Sequence, residues 1–130
     1  MNINVDYIVD KLVTLLNTPS PSGNTKKAID LVEEEFKSLG LTTYKTNKGA
    51  LIATILGENQ DKEVTLSAHV DTLGAMVKEI KSNGRLKFSQ IGGFALNTVE
   101  GEYVTIESTN GKLYSGTILT TKSSVHVHGE

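Results

Sequence analysis

Apolar residues recur at helical spacing twice in the first third of the chain. Two apolar stripes, over residues 5–17 and 25–39, predict two amphipathic helices. Asn4 is a suitable cap for the first helix, and Asn24 or Thr25 for the second. Gly40 suits the left-handed end of the second helix. The stretch between the helices, T-P-S-P-S-G-N, consists of small and turn-forming residues and predicts a loop.

The following apolar positions alternate with polar ones, as in strands with one buried face. Residues 42–46 and 50–56 flank an Asn-Lys-Gly turn and predict a hairpin. Residues 63–70 predict a central strand buried against the helices, so this part of the chain is typical of the opening of an α/β layer. Short strands with glycine turns between them then predict part of a small β-barrel or sandwich, over residues 76–80, 86–91, 103–107 and 112–120. The change in pattern predicts a domain boundary at residues 73–75.

The predicted central strand ends in His69-Val70-Asp71, where the chemistry of the chain is concentrated. Two positions apart on an extended backbone, His69 and Asp71 project to the same side. A neutral imidazole is a good ligand for a divalent metal, and a nearby carboxylate can accept the proton on its other nitrogen, which fixes the tautomer and orientation of the ring. The end of a strand in an α/β sheet is also where ligand crevices form. By itself the pattern is short, and most such pairs are surface loop residues.

Composition narrows the possible functions. The 130 residues carry a net charge of −2, so we expect no general attraction to nucleic acid or to anionic membranes. The chain has no cysteine, which excludes disulfides and thiolate metal sites. Tryptophan is absent and other aromatic residues are few, which argues against a stacking platform for nucleic acid. The sequence shows no signal-peptide pattern and no membrane-spanning run, so the cytoplasm is the expected location.

A series of motifs resembles one family. Residues 67–77, S-A-H-V-D-T-L-G-A-M-V, are similar to the first metal-ligand segment of the dinuclear metallopeptidases typified by glutamyl and leucyl aminopeptidases, whose members are often labelled endoglucanase M. Other segments match this family in order and spacing, so that the resemblance covers nearly the whole chain: T-P-S-P-S-G-N (18–24), N-K-G-A-L-I-A-T-I (47–55), I-G-G-F (91–94), G-E-Y-V-T-I (101–106) and Y-S-G-T-I (114–118).

The resemblance implies a metal-dependent aminopeptidase, a hydrolase that removes N-terminal residues from peptides. It implies that residues 1–73 are the N-terminal portion of an α/β metallopeptidase catalytic domain and that residues 74–130 are part of an inserted β domain that helps to build a homo-oligomer. The family uses two divalent metal ions, and zinc, cobalt and manganese are all compatible with its nitrogen and oxygen ligands. By resemblance, His69 is a metal ligand and Asp71 is the catalytic residue that orients it.

The same resemblance implies that this chain holds only part of the catalytic centre. The other metal ligands and the general base of the family would follow Glu130, so we expect at most one partial metal site and no activity of the chain alone. The loop of residues 18–24 is expected to run close to the site, without an assigned chemical role.

Other functions stay open at this point. One is a non-catalytic interaction module, in which the β segment mediates assembly and His69 is structural. Another is a glucanase-type hydrolase, although Asp71 has no obvious second carboxylate for such chemistry. A third is the related carboxypeptidase-like family, which also carries a His-x-Asp segment. Two further stretches are left out of the predicted site: Glu33, Glu34 and Glu35 as a solvated helix face, and His126, His128 and Glu130 as part of a mobile loop or tail.

Overall fold

Two helices open the chain, as their apolar stripes predict. The structure is a computed structural model that describes residues 3–59 and 61–121. Helix α1 spans Val5–Leu16 and helix α2 spans Lys26–Ser38. The predicted cap of α1 is confirmed, because the Asn4 side chain accepts a hydrogen bond from a first-turn backbone N–H at 3.1 Å. Thr25 occupies the capping position of α2, as predicted, but its side chain makes no capping hydrogen bond.

Helix α2 ends at the predicted glycine. Gly40 has φ +79°, and its N–H donates to the carbonyl of Lys37 at 3.0 Å. The N–H of Leu41 donates to the carbonyl of Phe36, also at 3.0 Å. These two bonds form a Schellman motif, which satisfies carbonyl groups that the helix itself leaves unpaired.

In the part of the chain that the structure describes, three antiparallel hairpins follow the helices. Their strands pair in sequence order, β1 with β2, β3 with β4 and β5 with β6, and a short 3₁₀ turn, Leu96–Thr98, precedes the last hairpin. The strands are β1 (Thr43–Lys45), β2 (Leu51–Ala53), β3 (Gly74–Ile80), β4 (Leu86–Ile91), β5 (Tyr103–Glu107) and β6 (Leu113–Thr117). The predicted positions of all six strands are confirmed, although β2 and β6 are shorter than their apolar runs.

The predicted central strand over residues 63–70 was wrong. This segment forms no strand in the structure, and the side chains of Val64 and Leu66 are 86% and 93% exposed. A strand is defined by the hydrogen bonds to its neighbours, and an alternating sequence alone does not supply a neighbour. Just after this segment, Thr72 forms an isolated parallel β-bridge with Pro21.

The chain divides into two compact units, Met1–Gly92 and Gly93–Glu130. The first unit contains both helices and the first two hairpins, and the second contains the β5–β6 hairpin. Among the described residues, only Ala28 on α2 and Ser20 in the loop before α2 are buried. The domain boundary at residues 73–75 stays a prediction. No helix in the described part of the chain is both long and apolar enough to span a membrane.

Two residues of the acidic run of α2, Glu33 and Glu35, make ion pairs, whereas Glu34 is exposed, as the interpretation of the run as a solvated face predicts. Glu33 pairs with Lys45 on β1 at 2.6 Å and with Lys37 at 3.0 Å. Lys45 also contacts Asp30 at 2.6 Å, so one ammonium group ties the hairpin to the helix. Through these hydrogen bonds the lysines lower the pKa of Glu33 to about 2, with Lys45 the largest cause. Glu35 is likewise engaged, since it pairs with a lysine of α1.

Candidate functional site

The structure brings together the two residues that the sequence singles out. His69 Nδ1 lies 2.8 Å from Asp71 Oδ1. An ionised carboxylate offers only acceptors, so the imidazole nitrogen that faces it carries the proton and donates it. The other ring nitrogen, Nε2, then keeps its lone pair. The His69 side chain is 83% exposed, and Nε2 is therefore able to bind a metal ion.

The loop between the helices lies against this pair. The Thr72 N–H donates to the carbonyl of Ser20 at 2.7 Å, and Thr72 forms a parallel bridge with Pro21. The bridge fixes the register between the loop and the His69–Asp71 segment. It thereby places the residue after Pro21 beside Asp71.

Ser22 is a member of the candidate site that the sequence does not predict. Its hydroxyl donates to Asp71 Oδ2 at 2.5 Å, across a separation of 49 positions in the sequence. The loop was expected near the site only by resemblance and without a chemical role. The dipeptide Ser22-Gly23 does predict a turn, but nothing in the local pattern says which distant side chain the turn meets.

A tight turn presents Ser22. Pro21 and Asn24 close it through a hydrogen bond of 2.8 Å from the Asn24 N–H to the Pro21 carbonyl. Gly23, the third residue, has φ +92°, which is the conformation that a type II turn requires at that position and that glycine adopts without strain. The second residue of the turn, Ser22, is exposed and directs its hydroxyl to the carboxylate.

Both partners of Asp71 favour its ionised form. The hydrogen bond from Ser22 is the largest cause and that from His69 the second, and together they hold the pKa of the Asp71 carboxyl below its usual value. Asp71 is therefore a carboxylate at neutral pH, as an acceptor for the imidazole proton must be. The triad of side chains, Ser22–Asp71–His69, is linked by two hydrogen bonds to one carboxylate.

The donor set fits one part of a divalent metal site. Residues 3–59 and 61–121 contain no group of three or more His, Cys, Asp or Glu side chains that could hold a metal ion. His69 offers one imidazole nitrogen, and its orienting carboxylate is the common partner of a metal-bound histidine. The tail residues that were left out of the predicted site, His126, His128 and Glu130, lie outside the described residues.

Comparison with proteins of known sequence gives the family context. Over 125 residues, 96% of this chain and 36% of the relative, the chain is 52% identical to the "Putative aminopeptidase YhfE" of Bacillus subtilis (strain 168). It is 28% identical over 105 residues to the "Putative aminopeptidase SgcX" of Escherichia coli (strain K12), covering 80% of this chain and 28% of that protein. The chain thus spans about a third of the length of these relatives.

Comparison with solved structures agrees with the sequence relatives. The fold resembles that of a TET aminopeptidase from the marine sediment archaeon Thaumarchaeota archaeon SCGC AB-539-E09, with a TM-score of 0.81, 21% identity, and coverage of 92% of this chain and 33% of that one. It also resembles PhTET1-12s, described as a dodecamer, with a TM-score of 0.77, 25% identity and coverage of 92% and 35%. The predicted α/β fold class is confirmed.

The family itself follows from a direct match. The model of the M42 glutamyl aminopeptidase family matches residues 49–130, which is more than half of the chain and includes His69 and Asp71. The match confirms the resemblance that the sequence motifs indicate. The chain therefore belongs to the M42 glutamyl aminopeptidase family.

Proposed function

We propose that this chain supplies one metal ligand and its orienting carboxylate to a metal-dependent aminopeptidase that removes N-terminal residues from peptides. The observation that carries the proposal is the contact of 2.8 Å between His69 Nδ1 and Asp71 Oδ1, which leaves Nε2 available on an exposed ring. Family membership and the aminopeptidase names of the relatives support peptide hydrolysis over a glucanase activity.

Each residue has a distinct part in this function. His69 binds a divalent ion through Nε2, and Asp71 holds the imidazole in the tautomer that makes this possible. Divalent ions held there would supply the chemistry for activating a water molecule and polarising the scissile carbonyl. Zinc, cobalt and manganese all suit a site of nitrogen and oxygen ligands. A single imidazole does not hold a catalytic dinuclear centre, so we propose that further ligands come from chain not included in these 130 residues and that the 130-residue chain is inactive alone.

Assembly is part of the proposal. PhTET1-12s is described as a dodecamer, and this chain covers 35% of its length with a TM-score of 0.77. We propose that the complete protein is a homo-oligomer and that the strands after Gly74 contribute to its interfaces. Light scattering on a fusion of this chain to the C-terminal part of YhfE would test this, with a monomeric fusion as the contrary result.

Metal binding by the chain alone is the first test. The chain has three histidines, so their ring signals can be followed separately by NMR during a zinc titration. We expect the His69 signals to shift and His69→Ala to remove the effect. Asp71→Asn should weaken zinc binding by about 10- to 100-fold, as loss of a ligand's hydrogen-bond partner usually does. A double His126→Ala/His128→Ala variant serves as the matched control. If that control alone abolishes binding, His69 is not the ligand.

Catalysis is tested in the fusion. The fusion of this chain to the C-terminal part of YhfE should release N-terminal residues from short peptides in the presence of zinc, cobalt or manganese, whereas the 130-residue chain alone should not. YhfE itself is assayed in parallel as the positive control. Full turnover and metal content in the His69→Ala fusion, or activity of the chain alone, would overturn the proposal.

A further inference from the structure

We propose that Ser22 is a positioning residue of the metal site, which holds the Asp71 carboxylate in the orientation that keeps His69 protonated on Nδ1. The two oxygens of this carboxylate have different partners, one close to Asp71 in the sequence and one far from it. Oδ1 faces His69 Nδ1 at 2.8 Å, and Oδ2 accepts the Ser22 hydroxyl at 2.5 Å. The inference rests on the proposed role of His69 and adds a residue to it.

The carboxylate needs such a restraint. Asp71 is 41% exposed on its side chain, so water can compete for either oxygen. Rotation of a carboxylate about its terminal bond is soft and nearly two-fold, so one hydrogen bond from His69 leaves its plane poorly defined. A second hydrogen bond to the opposite oxygen defines that plane. Ser22 supplies this second bond.

The backbone holds Ser22 in place independently of the carboxylate. The turn that carries it is closed by the hydrogen bond of 2.8 Å from the Asn24 N–H to the Pro21 carbonyl. The loop is joined to the residue after Asp71 by the hydrogen bond of 2.7 Å from the Thr72 N–H to the Ser20 carbonyl. Main-chain hydrogen bonds thus hold the backbone of Ser22 beside Asp71, within reach of the carboxylate for its hydroxyl.

Ser22 affects metal binding through the tautomer of His69. With Ser22 present, Oδ1 is fixed as the acceptor of the Nδ1 proton, and the Nε2 lone pair is constantly available. Without the hydroxyl, the carboxylate turns and binds water, and the imidazole populates the tautomer with its proton on Nε2. That tautomer offers no lone pair to a metal at this atom.

The first experiment uses the metal-free chain and reads the tautomer directly. Long-range ¹H–¹⁵N NMR at pH 8 distinguishes protonated from unprotonated ring nitrogens of His69. We expect the wild type to be protonated mainly on Nδ1 and Ser22→Ala to shift toward the Nε2-protonated form. Ser22→Thr keeps the hydroxyl and should restore the wild-type spectrum, and Ser20→Ala in the same loop should leave it unchanged. The Thr72 amide signal reports that the loop is still docked in each variant.

The second experiment measures zinc affinity of the same variants. Ser22→Ala should weaken zinc binding about tenfold, the lower end of the usual effect of an outer hydrogen-bond partner, because Ser22 acts through one more group. Ser22→Thr should bind like the wild type. If Ser22→Ala leaves both the tautomer and the affinity unchanged while His69→Ala abolishes binding, the role of Ser22 is wrong and that of His69 stands. If His69→Ala has no effect on zinc binding but Ser22→Ala still changes the tautomer, the proposed function fails and the positioning of His69 by Ser22 stands.

Discussion

Replacing Gly74 with alanine should loosen the loop that carries Ser22. Gly74 is the first residue of β3 and packs against Pro21 of that loop. A Cβ atom at Gly74 would lie 2.7 Å from the Pro21 Cβ, well inside the 3.4 Å at which ordinary contact begins. Pro21 Cβ belongs to a ring fused to the backbone and cannot rotate away, so the loop or the strand must move.

The size of the effect follows from this overlap. Forcing an extra carbon into a packed contact costs typically about 1–3 kcal/mol. Because about 1.4 kcal/mol corresponds to a factor of ten, the bond between the Thr72 N–H and the Ser20 carbonyl should open roughly 5- to 150-fold more often. A glycine-to-alanine change also stabilises a folded protein by about 0.4–1 kcal/mol, because it restricts the unfolded chain. This effect does not oppose the predicted opening, since the loop opens locally while the rest of the chain stays folded.

Hydrogen exchange of the Thr72 amide, followed by NMR, measures this opening directly. Gly93→Ala is the matched control, because a Cβ at Gly93 meets no atom within 4 Å and its φ is not positive. The Lys81 amide, which donates at 2.8 Å across the far end of the β3–β4 hairpin, is an internal reference. Unchanged Thr72 exchange in Gly74→Ala, or equal acceleration in both variants, would refute the close packing of loop and strand.

Three further results are expected. Ser20 is fully buried, and its hydroxyl has no hydrogen-bond partner among the described residues. Ser20→Ala should therefore leave the free energy of unfolding in urea unchanged or raise it by up to about 3 kcal/mol. A clear destabilisation would contradict this. Asn4→Ala removes the helix cap and should lower the stability of α1 by about 1 kcal/mol, seen as faster exchange of its first-turn amides, whereas unchanged exchange would show that the cap is not used. Hydrogen bonds from Lys26 and then Lys45 lower the pKa of Asp30 to about 2, and those from Lys45 and then Lys37 lower the pKa of Glu33 to about 2. Because both pKa values are lower in the folded state than in the unfolded chain, the two carboxylates stabilise the fold fully above about pH 4.5, and this stabilisation is lost as the pH falls through 2. Thermal melts from pH 5 to pH 2 should therefore show a smaller loss in Lys45→Met than in the wild type, and an equal loss would argue against these ion pairs.

The sequence determined the elements whose cause is local. Helical periodicity and a capping asparagine placed α1, and glycine turns placed the hairpins, because these signals act within a few residues. The pairing of His69 with Asp71 was also predictable, since residues two apart on extended backbone face the same way. The motif series further indicated the family, which the match over residues 49–130 confirms.

Tertiary structure decided what depends on distant partners. Alternation over residues 63–70 predicted a strand, yet no neighbour pairs with it among the described residues, and the side chains of Val64 and Leu66 are exposed. The partnership of Ser22 with Asp71 spans 49 positions and arises from a backbone bridge, not from any local pattern. Lys45 likewise reaches α2 from β1 and turns part of an acidic run into ion pairs. Periodicity fixes which way a side chain points along its own element, whereas the identity of its partner depends on how separate elements come together in space.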